Sequence, residues 1–486
     1  MPHHFNKTQL MAGLQCQKHL HLLVHHPDYA SETRSPASIT GEVVEQQAQL
    51  QFPGAVSVQC GHGHHPNAQT LQYLDDPEVH TIFQATFSAN NVRVFIDVLH
   101  RNPKGNQDKW DLIEIKAATW VKDHFIDDVA IQAKTAQQAG LAINRIKLMH
   151  INSHFVYQGD HNYEGLFIQE DITDQVQAHW HLVPQHVQAF QQLVAGPEPE
   201  VHIGSHCKNP NPCEFRRYCE TQEPKYPVGA LPRGQHLVPQ LIANGITDIR
   251  DIPVDMLSSD THIRVRNITI AGKAELLPGV KQLLNALPYP RYYLDFESIQ
   301  FAIPIWPGTQ PYEQLPFQWS CHIERETGEL QHKEFLDVSG KDPRRNFAAQ
   351  LIDACQTQGP IIVYNQSFEK RIIKELANRF DDLQAPLLAL IDRIFDLRPI
   401  TEANYYHPDM KGSWSIKSVL PCLVPELSYS KLGEVQDGTQ AQKSYLDIIS
   451  GQTNEERKAT LTKDLREYCK LDTLAMVEIV QRLVTQ

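Results

Sequence analysis

The sequence has no long hydrophobic run. No window of its 486 residues reaches the roughly 18 uninterrupted apolar residues of a membrane span, and the opening MPHHFNKTQLMAGLQCQKHL lacks the apolar stretch of a secretory signal. A cytoplasmic protein without a membrane partner is therefore expected. Basic charge is also scarce, with 44 Lys and Arg against 57 Asp and Glu and a net charge of -13. That balance counts against a protein that coats nucleic acid with basic surface, because phosphate binding depends on Lys and Arg. It leaves room for a metal-dependent nuclease, which gathers carboxylates at its centre and can carry a local basic groove on an acidic whole. Internal repeats and low-complexity tracts are missing. Disulfides are not expected of nine cysteines in a cytoplasmic chain, so a cluster of them points to a metal or redox role.

What is present suits a soluble α/β protein. The apolar share of 41% and charged share of 21% provide cores for more than one domain, and the length predicts two large domains and a connector. Residues 1–225 read as mixed α/β, with strands at VRVFIDVLH (92–100) and WDLIEIKAA (110–118) followed by a helix at DDVAIQAKTAQQAGL. Residues 226–287, with LPRG and LIANGITDIRDIP, read as a small helical connector. From 288 to 486, strand-like RYYLDFES, QWSCHIE and GPIIVYNQS precede helical patterns that end in LREYCKLDTLAMVEIVQRLV.

The stretch LDFES places Asp295 and Glu297 on one face of a strand end. Two such charges repel by about 4 kcal/mol at close range and an effective dielectric near 20, so the pair calls for a counter-charge. Mg2+ or Mn2+ suits its oxygen ligands. Tyr468 and Asp472 in YCKLD stand at i and i+4 on a late helix and share a face. Between the two motifs, IIVYNQSFEK is an apolar strand ending near Glu369. This order resembles DEDD exonucleases of the RNase H-like (DnaQ-like) superfamily. The resemblance implies that Asp295, Glu297 and Asp472 hold two metal ions, with Tyr468 orienting the attacking water. Glu369 stands where that family usually carries Asp. Asp396 in IFDLRP is a second candidate for the place, a turn cap being the simpler reading. Lys417 in GSWSIKSVLP, at the start of a helix, reads as a solvated lysine or a phosphate contact.

In the N-terminal part, Asp97 followed by Glu114 and Lys116 forms the D...E-x-K pattern that resembles the PD-(D/E)XK nuclease fold. There two acids bind metal and the lysine stabilises charge developing at phosphorus. Glu42 in TGEVVEQQAQ and Gln132 in DDVAIQAK are further candidates. Relatives often carry His at the place of Glu42, and a Tyr where this chain has Ala136. Cys207, Cys213 and Cys219 form C-x5-C-x5-C, with Cys16 near the start. That layout resembles RecB-family nucleases holding a 4Fe-4S cluster, and zinc on the same four thiolates is the alternative. Cys60 and the tract GHGHHP read as an ordinary thiol and a polar loop.

End to end, LMAGLQC, EIKAATWVKDHFIDDVAIQ, LDFESIQFAIPIWPGTQPYEQLPFQWS, KGSWSIKSVLP and YCKLDTLAMVEI resemble a bacterial family that joins a RecB-like PD-(D/E)XK nuclease domain to a DEDD-type exonuclease domain. The resemblance implies two mixed-sheet domains, a nucleic-acid partner with DNA favoured, and hydrolysis of phosphodiester bonds at single strands or ends. The alternatives are a non-catalytic nucleic-acid-binding or scaffolding protein, for which Glu369 and Ala136 speak, and an RNA-directed 3'-5' exonuclease.

Overall fold

The computed structural model describes residues 2–31, 36–59, 66–101 and 109–485. Cys60 and the histidines of the GHGHH tract at 61–65 lie outside the described residues. The chain forms two units, one of Met1–Glu223 with Phe301–Tyr312 and one of Pro224–Gln300 with Glu313–Gln486. Both are mixed α/β. Among the described residues, no helix is long and apolar enough to cross a membrane.

In the first unit, β1 (Phe5–Asn6), β2 (Val56–Ser57), β3 (Thr81–Ala89), β4 (Val92–His100), β5 (Trp110–Lys116), β6 (Ile143–Ile151) and β7 (Phe167–Asp171) make one mixed sheet. Its order is β2-β3-β4-β5-β6-β7, with β1 parallel to β4. Asn90 and Asn91, at φ 49° and 62°, close the β3–β4 hairpin in the left-handed conformation that matches strand twist. The parallel pair β5–β6 needs a crossover, which the helix Asp123–Gln138 supplies. Alternation along the strands divides the core in two. Leu99, Leu112 and Leu148 pack with Val129, Ala133 and Ala136 of that helix. Val98, Ile113 and Met149 pack on the other face with Val44 and Ala48, from the helix Pro36–Gln49, and with Ala302 and Ile303. Segment 301–312 is further held by backbone hydrogen bonds from Tyr157 N to Thr309 O (3.0 Å) and Gly308 N to Tyr157 O (2.7 Å).

The second unit holds β8 (Glu275–Leu276), β9 (Arg291–Ile299), β10 (Leu315–Glu324), β11 (Leu330–Leu336), β12 (Ile361–Val363), β13 (Ile394–Asp396) and β14 (Tyr405–Tyr406). Five of these form a sheet in the order β11-β10-β9-β12-β13. The β9–β10 and β10–β11 pairs are antiparallel, and β12 runs parallel to both β9 and β13. Residues 226–287, a separate connector by sequence, belong to this unit. β8 pairs with β14, and Tyr226 donates to Asp409 (3.3 Å), so the stretch shares the unit's hydrogen bonding.

The central strand β9 explains the placement of the acids. Tyr292, Leu294 and Phe296 point into a core with Phe347, Leu351, Ile372 and Ile373. Asp295 and Glu297 fall on the opposite face, level with their cross-strand partners Ser320 and Gln318. Those partners bond to the helix Glu455–Thr485: Gln318 donates to Leu465 O (2.9 Å), and Ser320 shares a hydrogen bond with Thr473 (2.8 Å). The acids of β9 therefore face the helix that carries Tyr468 and Asp472.

Candidate functional site

In the second unit, Asp295, Glu297 and Asp472 converge as expected from the sequence. Ligand atoms of Asp295, Glu297 and Cys469 lie within 4.8 Å of one another. The Cys469 thiol itself turns to the backbone, donating to Asp295 O at 3.9 Å. Glu369 enters from the first turn of the helix Ser367–Arg379. Asp396 sets that entry: its carboxylate accepts from Asn365 N (2.9 Å), Gln366 N (3.1 Å) and Arg398 N (3.0 Å). Asp396 is thus a turn and helix cap. Two further side chains complete the surroundings. Tyr429 donates to Asp472 at 2.5 Å, and Lys417 lies 3.2 Å from the Tyr468 hydroxyl and over both phenol rings, 5.1 Å and 4.9 Å from the centroids.

Gathering acids away from water raises their proton affinity. Burial, then the charges of Asp472, Glu297 and Glu369, holds Asp295 well above the usual carboxylate range. Burial and Asp472 push Glu297 up to about 8, and burial pushes Glu369 up to about 8. Asp472 is pushed up to about 6 by burial, against the hydrogen bond from Tyr429 and the ammonium of Lys417. Burial and then Asp472 raise both phenols, Tyr429 and Tyr468, so they remain protonated. Glu369 Oε2 is buried without a hydrogen-bond partner. An unsatisfied carboxylate oxygen beside three other acids is a donor set that fits hard divalent cations such as Mg2+ or Mn2+.

The first unit brings Asp97, Glu114, Lys116 and Gln132 together, and adds two residues. Lys116 Nζ lies 2.7 Å from Glu114 and 2.5 Å from Asp128. Lys7 Nζ lies 3.0 Å from Glu114 and 3.2 Å from Asp128. Gln132 donates to Asp128 at 3.2 Å, one helical turn back, and Asp97 accepts from Ile115 N at 2.9 Å. Burial would raise Glu114 and Asp128, but the two ammonium groups outweigh it and hold both down. Burial and the nearby Glu114 raise Asp97. The carboxylates in turn outweigh burial at Lys7 and Lys116 and keep them protonated. Glu114 Oε2 and Gln132 Oε1 are buried without partners, so this donor set also fits a divalent cation. Glu42 is exposed on its helix, and the next acid, Glu45, accepts from Gln84 at 2.6 Å. Ala136 is fully buried in the core and presents no side chain to a ligand.

Lys7, Asp128 and Tyr429 were not among the residues singled out from sequence. The stretch Asn6-Lys7-Thr8-Gln9 does carry a signal, since Asn6 and Gln9 form a capping box. The parallel pairing of Phe5 and Asn6 with β4 then sets Lys7 beside the sheet's acids. Asp128 stands four residues before Gln132 and so shares its face. Tyr429 has no comparable local mark.

Cys16, Cys207, Cys213 and Cys219 border one cavity of about 10 Å³, together with His19 and His206. Gln15 fixes the surrounding loop by donating to His206 O (2.7 Å) and Asn211 O (2.8 Å). Hydrogen bonds that the protonated His206 ring donates to Cys16 and Cys207 raise it to about 10. Burial pushes the Cys213 and Cys219 thiols up to about 12 and about 11. Four sulfurs around one space fit a soft metal.

Residues 292–415 match a family model described as a domain of unknown function (DUF2779). The chain is 27% identical over 219 residues to "Uncharacterized protein MG366 homolog" of Mycoplasma pneumoniae, covering 41% of this chain and 33% of that protein. It is 24% identical over 252 residues to "Uncharacterized protein UU173" of Ureaplasma parvum, covering 46% and 36%. The chain thus spans about a third of the length of these curated relatives.

Proposed function

We propose that the protein is a metal-dependent nuclease that hydrolyses phosphodiester bonds, with DNA as the favoured substrate and one candidate site in each unit. The observation that carries this reading is the convergence of Asp295, Glu297, Glu369 and Asp472, with Tyr468 on the same helix face as Asp472. The sheet order, with β9, β10 and β11 antiparallel and β12 and β13 added in parallel beside β9, supports an RNase H-like second unit. The acids around Lys116 support a PD-(D/E)XK, RecB-like first unit.

Divalent cations held by Asp295, Glu297, Glu369 and Asp472, and by Asp97 and Glu114, would supply positive charge at the attacking and leaving oxygens. The chain's own groups do the rest. Tyr468, kept protonated, donates a hydrogen bond to the incoming water or to a phosphoryl oxygen. Lys417 holds that phenol in place and adds a cation at the rim. Lys116, also kept protonated, cannot act as a base and instead stabilises charge at phosphorus. On the four thiolates a 4Fe-4S cluster would be architectural. Zinc held by the same four thiolates is the alternative.

Labelled single- and double-stranded DNA and RNA, incubated with Mg2+ or Mn2+, test the assignment in the wild type, Asp97→Ala, Asp295→Ala and the double variant. Cleavage is expected to fall in at least one single variant and to vanish in the double. Undiminished cleavage in the double variant defeats the reading. A second reading applies to the first unit alone: two ammonium groups already neutralise its acids, which favours binding without turnover there. Full activity in Asp97→Ala together with none in Asp295→Ala would single it out.

A further inference from the structure

Beside the carboxylate centre of the second unit, a groove of about 650 Å³ is bordered by Lys411, Ser413, Lys417 and Ser418 and by Pro421 and Pro425. Lys417 is common to both places, since its ammonium lies 3.2 Å from the Tyr468 hydroxyl. The groove therefore adjoins the proposed reaction centre. Ser418 Oγ lies 3.1 Å from Ser413 Oγ and 2.8 Å from Ser415 Oγ, so three hydroxyls hydrogen-bond one another beside the groove. Lys411 is exposed. The acid in the lining, Asp409, is engaged by Lys225 (3.7 Å) and Tyr226 (3.3 Å), which offsets its charge. The proline side chains give the space an apolar wall.

Cations and hydroxyls on one side and flat apolar rings on the other are what a nucleotide needs, with its phosphate on the first and its base on the second. Resting on the nuclease reading above, we infer that this groove binds the nucleotide next to the scissile bond of a single strand. Its backbone phosphate meets Lys411, Lys417 and the serine hydroxyls, and its base lies against Pro421 and Pro425. The groove fixes which bond of the strand reaches Asp295, Glu297 and Asp472.

The test is the binding of a fluorescein-labelled single-stranded deoxyoligonucleotide to the full chain in EDTA, followed by anisotropy across a range of NaCl. Lys411→Glu is expected to weaken binding about tenfold and to flatten the salt slope by about 0.7 or more, the share of one phosphate contact on a single strand. Ser418→Ala should weaken it two- to threefold. Lys463→Glu, at an exposed lysine of the helix Glu455–Thr485 paired with Glu467, controls for net charge and should bind as the wild type does. Thermal unfolding of each variant confirms that it is folded. Wild-type binding with an unchanged Lys411→Glu overturns the groove assignment and leaves the nuclease reading standing. Equal weakening by Lys411→Glu and Lys463→Glu also overturns the groove. A wild type that neither binds nor cleaves overturns both.

Discussion

Replacing Glu297 by Gln should make the metal-free protein more stable in alkaline solution. The carboxyl of Glu297 is pushed from 4.5 to about 8 in the folded chain, by burial and by Asp472. Between those values the folded state keeps a proton that the unfolded state has lost, so stability falls as pH rises through the window. Below about 4.5 both states are protonated and the group contributes no difference. Each tenfold gain in proton affinity on folding corresponds to about 1.4 kcal/mol, so the full window amounts to on the order of 4–5 kcal/mol for a single buried carboxyl. The neighbouring acids share the proton and take up part of the loss. About half, roughly 2 kcal/mol, is then expected on Glu297→Gln, or about 4–8 °C in a domain of this size. Thermal unfolding in EDTA at pH 4.5, 7 and 8.5 should show wild type and variant together at the lowest pH and the variant higher at the top. Mn2+ should raise the wild type more at pH 8.5 than at pH 6, and raise Glu297→Gln less. A gap between the two proteins that stays constant with pH would refute the reasoning.

Other perturbations probe other parts of the molecule. Tyr429→Phe removes the donor to Asp472 and should cost about 1.5–3 kcal/mol, read as a lower unfolding midpoint in urea. Lys7→Met leaves Glu114 and Asp128 with one ammonium fewer and should destabilise the first unit by roughly 3 kcal/mol; Mn2+ is expected to restore part of that loss, seen as a larger metal-induced rise in melting temperature than in the wild type. Cys219→Ser should abolish bound iron or zinc by elemental analysis and cost about 4–5 kcal/mol, if the metal cross-links residue 16 to residue 219. Replacing segment 301–312 with a Gly/Ser linker removes Ala302 and Ile303 from a core. It should lower the melting temperature of the first unit in calorimetry by an amount equivalent to about 2–4 kcal/mol.

Much of this arrangement is legible in local patterns. Period-two alternation in RYYLDFESI places Asp295 and Glu297 on one face of β9, and helical spacing places Tyr468 and Asp472 together; the structure meets both expectations. The strand VRVFIDVLH and the E-x-K strand of the first unit are equally open to reading, because strand pleat is a property of short windows. Long-range partners leave no such trace. Lys7 reaches Glu114 across 107 positions, and Tyr429 reaches Asp472 across 43. No periodicity links such pairs. Residues 226–287 read as a spacer because their helices are short and interrupted, yet the β8–β14 ladder joins them to the second unit. The run FAIPIWPGTQPY, at 301–312, gives no local indication that its Ala302 and Ile303 complete a core begun hundreds of residues earlier.

That last segment limits how the gene can be taken apart. A stop codon after position 223 truncates the first unit's hydrophobic interior, and a deletion that trims the loop between β9 and β10 damages a part of the protein encoded far upstream of it. Recombination that exchanged the second half for a diverged copy would import a foreign plug into the first. The two halves are therefore bound to change together, as one object of inheritance.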